Sequence, residues 1–492
     1  MNRASGILLG ISSLPSEYGI GSLGKPARDF ADFLCAAGQK YWQILPAGQT
    51  GYGDSPYQSF SSFAGNPYFI DIDELVSQGL LTKTEAETAK TAGEKVYYGA
   101  LYATRYALLE SAYERGRGRL MREILGFYEK NAAWLPDYAL FMALSEHFSG
   151  KPWTEWNDDI RSRESDAMAK YRSLLGERTG FWIFVQYLFF TQWDKMKKYV
   201  NSLGIKIIGD LPVYVAANSA DIWASPAEFQ LDRDLRCKNV AGVPPDGFSP
   251  TGQLWGNPLY RWEAHRETGY QWWITRLWYC FELYDVVRID HFRAFHTYWS
   301  IPGDAETAIE GHWEPGPGME LLNMLQSIPG LSLIAEDLGD LDQEVRDFIA
   351  RSGLPGMKIL LYAFDPAGES SYLPHNCPPN SVCYTGTHDT PTFVQWLFGE
   401  AAQAERDYAI DYLGLRAEEG YGWGAVRGAW ASPSRLAIAP MQDLLGLGAD
   451  ARMNAPGTTG EQNWSWRVRS AALNSDVAGK LRHLTRVYRR GV

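Results

Sequence analysis

Short apolar runs of strand length recur along the chain, and amphipathic helical segments fall between many of them. This alternation most constrains the fold, because parallel strands need a crossover segment between them, usually a helix. Strand candidates are YWQILPA (41–47), PYFIDI (67–72), IKIIGDLPVYV (205–215), YDVVRID (284–290), LSLIAED (331–337), GMKILLYAF (356–364), SVCYTGTHD (381–389) and RLAIAPMQDLL (435–445). Among the helices, PARDFADFLCAAG sets Phe30, Phe33, Leu34 and Ala37 on one stripe and stops at Gly38. LDQEVRDFIARSG reads likewise, with Asp342 as N-cap and Gly353 as the stop.

Eight strands in this alternation predict a (β/α)8 barrel, with residues 1–492 forming a single catalytic domain. The spacing is uneven: about 130 residues separate the second and third strands, and about 70 the third and fourth, too many for simple connections. The expectation is a mostly helical insertion over about 73–200 and a loop-rich one over about 216–270. Loops that follow barrel strands surround the active site, so these insertions should wall a cleft there.

Composition narrows the class. Aromatic residues make up 14% of the chain, most of them expected in the core and some lining a groove where rings can stack on sugar faces. A net charge of −12 argues against nucleic-acid and anionic-membrane partners. Five cysteines (Cys35, Cys237, Cys280, Cys377 and Cys383) with no CxxC pair suit a reducing compartment. The opening MNRASGILLGISS has too short an apolar run for a secretory signal, and FWIFVQYLFF is far below membrane-spanning length. A cytoplasmic enzyme is expected.

Three strand candidates end in acid. In VVRID, side chains alternate faces, so Arg288 and Asp290 share one. If that face looks into the barrel mouth, Arg288 sits beside Asp290 and keeps it ionised. LIAED delivers Glu336 at the next strand end, and TGTHDT delivers His388 and Asp389 two strands later. Retaining glycosyl transfer needs such a set: a carboxylate nucleophile and an acid/base carboxyl roughly 5 Å from it. Asp290 fits the nucleophile, and Glu336, with no cation adjacent in sequence, fits the proton shuttle. His291 and His388 are placed to donate to sugar hydroxyls. Any one of these acids alone could be a helix N-cap, and Asp337, on the opposite face from Glu336, is assigned a structural role.

Two other patterns lead elsewhere. GIGSLGK matches GxGxxG through Gly19, Gly21 and Gly24, but SSLPSEY separates it from any strand and no acid ends the following strand, so dinucleotide binding is not expected. DIDE (71–74) lacks the glycine and remaining ligands of a calcium loop and reads as a helix start.

The segments GILLGISSLPSEYGIGSLG, YWQILPAGQTGYGDSPYQSFSSFAGNPYFID, IIGDLPVYVAANSADIWASP, GVPPDGFSPTGQLWGNPLYRW, VVRIDHFRAF, IAEDLG, YTGTHDT and NAPGTTGEQNWSWR together resemble the amylomaltase family, the 4-α-glucanotransferases of the α-amylase clan, over nearly the whole chain. The resemblance implies Asp290 as nucleophile, Glu336 as acid/base and Asp389 as transition-state stabiliser. It implies Arg288, His291 and His388 around the donor sugar, Asp210 shaping that subsite, and Tyr57 and Ser55 on the acceptor side. GVPPDGFSPTGQLWGNP would be a flexible loop over the cleft, with Trp255 and Asn257 lining it. No cofactor and no metal are implied. Substrates would be maltooligosaccharides and starch- or glycogen-type α-glucans, acted on by a monomer or homodimer. The chain departs from the family pattern at Asn218, where many members carry an acid, and at Gly247, where some carry an aromatic. An α-1,4-glucan hydrolase is the nearest alternative, and a non-catalytic glucan-binding protein would need no complete acid set.

Overall fold

A computed structural model describes residues 3–91, 93–246, 249–339 and 341–491. Eight parallel strands form its centre: β1 (Ala4–Leu8), β2 (Tyr41–Gln43), β3 (Lys206–Leu211), β4 (Val286–Ile289), β5 (Leu333–Ala335), β6 (Gly356–Ile359), β7 (Ser381–Tyr384) and β8 (Leu436–Pro440). β1 pairs with β8 through Ala4↔Leu436 and with β2 through Gly6↔Tyr41. The remaining gap, between β5 and β6, is bridged where Ala335 N donates to Pro355 O at 3.0 Å. The result is the expected (β/α)8 barrel.

Period-two alternation sorts each strand into an inward and an outward set. Tyr41, Ile208, Val286, Ile334, Met357, Val382 and Tyr384 join one buried cluster, while Trp42, Ile207, Val287 and Cys383 belong to another, which packs against the surrounding helices. The Tyr384 hydroxyl, wholly buried, donates to Gln43 Oε1 at 2.9 Å and satisfies both polar groups inside the barrel.

The strand list differs from expectation in two places. β1 lies in ASGIL, a run whose small residues hide its strand character; Gly6 is needed there because a Cβ would fall 2.5 Å from the Tyr41 carbonyl oxygen. Conversely, PYFIDI is not a strand. Pro67–Phe69 is a 3-10 turn capped by Asn66, and the backbone of Asp71 is taken by the Gln192 side chain, through Asp71 N→Oε1 at 2.7 Å and Nε2→Asp71 O at 3.3 Å. The two errors offset each other, so the acid-bearing strands keep their ordinals of four, five and seven.

Both predicted helices form as read. α1 (Lys25–Ala36) buries Phe30, Phe33 and Leu34 and is followed by Gly38 at φ +71. Between β2 and β3 lie further helices, among them α2 (Tyr98–Gly116), α3 (Leu135–His147) and α4 (Gly176–Ser202). α5 (Gln343–Ser352) is capped by Asp342, which accepts from Val345 N, and ends at Gly353 in the left-handed region. Asp71 caps Ile72–Ser77, as a helix start should, and Gly24 of the GxGxxG match leaves room for its carboxylate.

The second insertion is less loop-like than expected. Asn239–Val243 and Gln253–Pro258 pair as an antiparallel ribbon, joined by Thr297–Pro302 and His312–Pro315 into a four-stranded sheet. Gly247 lies outside the described residues. Asn218 accepts from Trp153 N at 3.2 Å and so ties this region to the helical one.

Where β1 meets β8, the fully buried Arg490 donates to the carbonyls of Ala4 (3.0 Å), Trp430 (2.8 Å) and Ser432 (2.9 Å). Arg490→Met removes three buried donors at once, and Arg3, which also donates to Trp430 O (3.0 Å) and Ser432 O (2.9 Å), compensates only in part. We expect a loss of about 2–4 kcal/mol, read as a lower denaturant midpoint.

Candidate active site

The site begins with strand register. Asp210 on β3 and Arg288 on β4 are register partners, so their side chains emerge side by side into the barrel interior. Arg288 Nη1 donates to both Asp210 oxygens, at 2.6 and 2.7 Å, and to Asp290 Oδ1 at 3.1 Å. Its Nε faces the Met357 sulfur at 3.3 Å. The expected Arg288–Asp290 pair is present, but Asp210 is the closer partner. Asp210 is fully buried, whereas 26% of the Asp290 side chain remains open to the cleft.

This division has an electrostatic consequence. Burial, followed by the charges of Asp210, Glu336 and Asp389, raises the Asp290 carboxyl above the usual aspartate range, and Arg288 only partly opposes the rise. The expectation that Arg288 would simply hold Asp290 ionised is corrected accordingly: one guanidinium shared by two carboxylates cannot neutralise both.

Glu336 follows β5, next to β4. Its Oε2 accepts from His291 N at 2.7 Å and its Oε1 from Leu338 N at 2.8 Å, so two backbone donors orient it. His291 sits in the left-handed region at φ 48, which turns its N–H toward Glu336. Burial raises the Glu336 carboxyl, against Arg288 and these two hydrogen bonds. Asp337 points elsewhere and accepts from Met357 N at 2.6 Å, in keeping with its structural assignment.

Asp389 comes from the loop after β7, with 40% of its side chain open against 26% for Asp290. Burial pushes its carboxyl up, but His388 beside it and the amide of Asn454 outweigh that and hold it at about 2. His388 Nε2 lies 3.1 Å from Asp389 Oδ2 and 2.8 Å from the Tyr57 hydroxyl, which itself donates to Asp210 Oδ2 at 2.7 Å. The Tyr57 and His388 rings stack at 5.4 Å. An unbroken chain of polar contacts thus runs from Asp290 through Arg288, Asp210, Tyr57 and His388 to Asp389.

The other predicted residues divide. The Trp255 ring stands edge-on to His291 at 4.8 Å, on the cleft side. Ser55 Oγ accepts from Tyr57 N at 3.2 Å and shapes the turn that presents Tyr57. Asn257 is buried, donating to Val215 O at 2.8 Å and accepting from Gln58 at 3.2 Å; it ties two walls together rather than offering a free amide to the cleft. His291 Nε2 and His388 Nδ1 are buried with no protein partner. Burial and the nearby Arg293 charge lower the His291 imidazole to about 3, so it is neutral.

Several groups escaped the sequence reading. Asn454 Nδ2 donates to Asp389 Oδ1 at 2.7 Å, and the Trp464 ring lies 5.8 Å from Tyr57 and 6.0 Å from His388. Both belong to NAPGTTGEQNWSWR, a segment whose residue types gave no chemical signal, because an amide and an indole have no charge pattern to follow. Tyr362, 42% exposed, stands near Asp389 and Glu336, and burial and those charges push its hydroxyl up to about 12. Among the described residues no group of three or more His, Cys, Asp or Glu is disposed to hold a metal ion.

Removing Arg288 should leave Asp210 buried and uncompensated. Arg288→Met is expected to destabilise the fold by about 3–5 kcal/mol. The double variant Arg288→Met/Asp210→Leu should recover most of that stability in denaturant titrations.

A family model described as 4-alpha-glucanotransferase matches residues 9–473. The 4-alpha-glucanotransferase of Clostridium butyricum is 46% identical over 484 residues, covering 98% of this chain and 99% of that protein. That of Thermus thermophilus is 46% identical over 492 residues, covering 98% and 97%. Among solved structures, an amylomaltase from Streptococcus agalactiae in complex with acarbose superposes with a TM-score of 0.97 at 42% identity, over 100% of both chains. With acids at three strand ends and full-length similarity of this order, the chain belongs to the 4-α-glucanotransferase family.

Proposed function

We propose that this protein cuts an α-1,4-glucan, holds the donor segment covalently on Asp290, and passes it to the 4-hydroxyl of another glucan or of glucose. Asp290 attacks the anomeric carbon as Glu336 protonates the leaving oxygen. Glu336, now ionised, takes the proton of the incoming hydroxyl as the glycosyl–Asp290 bond breaks, which preserves the anomeric configuration. Asp389, kept ionised on the open side of the cleft, faces the positive charge that develops on the sugar ring. The observation that carries this reading is the convergence of Asp290, Glu336 and Asp389 from β4, β5 and β7 at one rim of the barrel.

Arg288 and Asp210 hold the floor. The free ring nitrogens of His291 and His388 are suited to sugar hydroxyls, because a buried polar atom without a partner gains most from a ligand that supplies one. Tyr57 and Ser55 shape the acceptor side, and Trp255 lines the loop over the cleft. Transfer over hydrolysis depends on an occupied acceptor site that excludes water, and this aromatic wall supports it. The starch- and glycogen-type substrates are inferred from the family. The protein would act as a monomer or a homodimer, and the five free thiols support a cytoplasmic location. No helix among the described residues is long and apolar enough to cross a membrane.

With maltotriose, glucose and a ladder of longer maltooligosaccharides should appear while total reducing ends stay constant. Rising reducing ends without longer products would establish a hydrolase instead. Asp290→Asn should abolish both outcomes while leaving a folded protein that still binds glucan.

The pH profile follows from the raised carboxyls. Asp290 attacks only when ionised, so kcat/KM should fall as pH drops through a value above the ordinary aspartate pKa of about 3.9. Glu336 must carry a proton, so activity should fall again as pH rises through its own raised value, the two limbs belonging to the coupled pair. Asp389 stays ionised throughout. An acid limb at or below the ordinary aspartate value would contradict the assignment of Asp290.

A further inference from the structure

The loop after β7, residues 385–393, carries His388 and Asp389 and is gripped at two levels. At its root, Asp443, just beyond β8, accepts from Thr385 Oγ1 at 2.5 Å and from Phe393 N at 2.7 Å, fixing both ends of the loop. At its tip the grip comes from residues 452–464. Arg452 Nη2 donates to the Asp389 carbonyl at 3.2 Å, Arg452 Nε donates to the Asn454 carbonyl at 2.8 Å, and Asn454 Nδ2 donates to Asp389 Oδ1 at 2.7 Å.

The segment that presents Asn454 is itself closed. Trp464 N donates to Met453 O at 2.7 Å, so its ends meet. Inside it, Asn463 accepts from Ala455 N at 3.1 Å and donates to Thr458 O at 3.0 Å. Trp464, in the left-handed region at φ 60, turns its ring toward Tyr57 and His388. The two Asp389 oxygens therefore have different partners, the Asn454 amide on Oδ1 and the His388 ring on Oδ2, and together these fix the plane of the carboxylate.

We propose that Asn454 is a positioning residue for glycosyl transfer: its amide sets the rotation of the Asp389 carboxylate and favours the form that accepts its hydrogen bond. This rests on the reading of Asp389 as the group that stabilises the transition state. A carboxylate free to rotate would present its charge to the ring in only part of its orientations, and electrostatic stabilisation depends on charge held in place beforehand.

The test is Asn454→Asp, which keeps shape and changes only what the donor end can do. The charged and titratable groups facing Asp389 are His388 on its own loop, Arg288 on β4, Asp290, Tyr57, Tyr362, and Arg452 with Glu400 behind it. While the new carboxyl is protonated it can still donate to Asp389. Once ionised it can only accept, and it repels.

Activity on maltotriose should therefore approach that of the unsubstituted protein at the acid end of its range and fall by about 10- to 100-fold as pH rises, which moves the optimum to lower pH. The loss should appear in kcat more than in KM. Asn454→Ala should lower kcat at every pH without moving the optimum. An optimum unchanged in Asn454→Asp, with Ala and Asp variants losing activity alike, would mean that the residue only keeps its loop folded and would overturn the proposal. Asp389→Asn, run beside them, separates the two readings. Near-normal turnover in that variant removes the role of Asp389 itself, whereas an inactive Asp389→Asn with an unmoved optimum in Asn454→Asp removes only the role of Asn454.

Discussion

The buried guanidinium of Arg288 is the contact on which the site depends. Strand register puts it beside Asp210, and together these two charges occupy a place that a barrel of this kind would otherwise fill with branched aliphatics. A buried ion pair adds little net stability compared with a hydrophobic replacement. Its value here is placement. Arg288 and Asp210 form a fixed electrostatic floor from which Asp290 on one side and Tyr57 and His388 on the other are oriented, and neither floor residue touches solvent appreciably.

Above that floor the three acids are held in different ways, and the differences follow from their surroundings. Asp290 is tied once to a shared cation and is raised. Glu336 has two backbone N–H donors and is also raised, since burial outweighs them. Asp389, more open than Asp290, has the Asn454 amide on one oxygen and the His388 ring on the other, and it is lowered. Pairs of carboxyls pushed in opposite directions by their environments are how one site can run charge stabilisation and proton transfer at the same pH.

Much of this was legible from residue order. Arg288 and Asp290 two apart in a strand, Glu336 at the next strand end and Asp389 two strands on define the rim without any tertiary information, because strand alternation and barrel topology fix where such side chains go. Three features were hidden. β1 was masked by small residues that only the close approach of Tyr41 explains. PYFIDI has strand composition, yet its backbone partners are the side chain of Gln192, some 120 residues away. Asn454 and Trp464 matter through hydrogen bonding and ring stacking with groups far away in sequence, and nothing local to them distinguishes a functional amide or indole from an ordinary one. The aromatics repeat this lesson. Trp42, Trp153, Trp182, Trp193, Trp223, Trp273 and Trp430 are all fully buried, so ring content alone says more about the core than about the cleft.

The pairing of β1 with β8 bears on how the protein is made. The strand formed by residues 4–8 waits for residues 436–440 before it has its second neighbour, and Asp389 meets its amide partner only when residue 454 is available. Long-range pairing of this kind is slow to form and late to be rewarded. A chain emerging from the ribosome would thus carry all three acids about fifty residues before the strand that closes the ring is complete. Until residue 454 has been added, the chain lacks both the ring closure and the amide that align its acids.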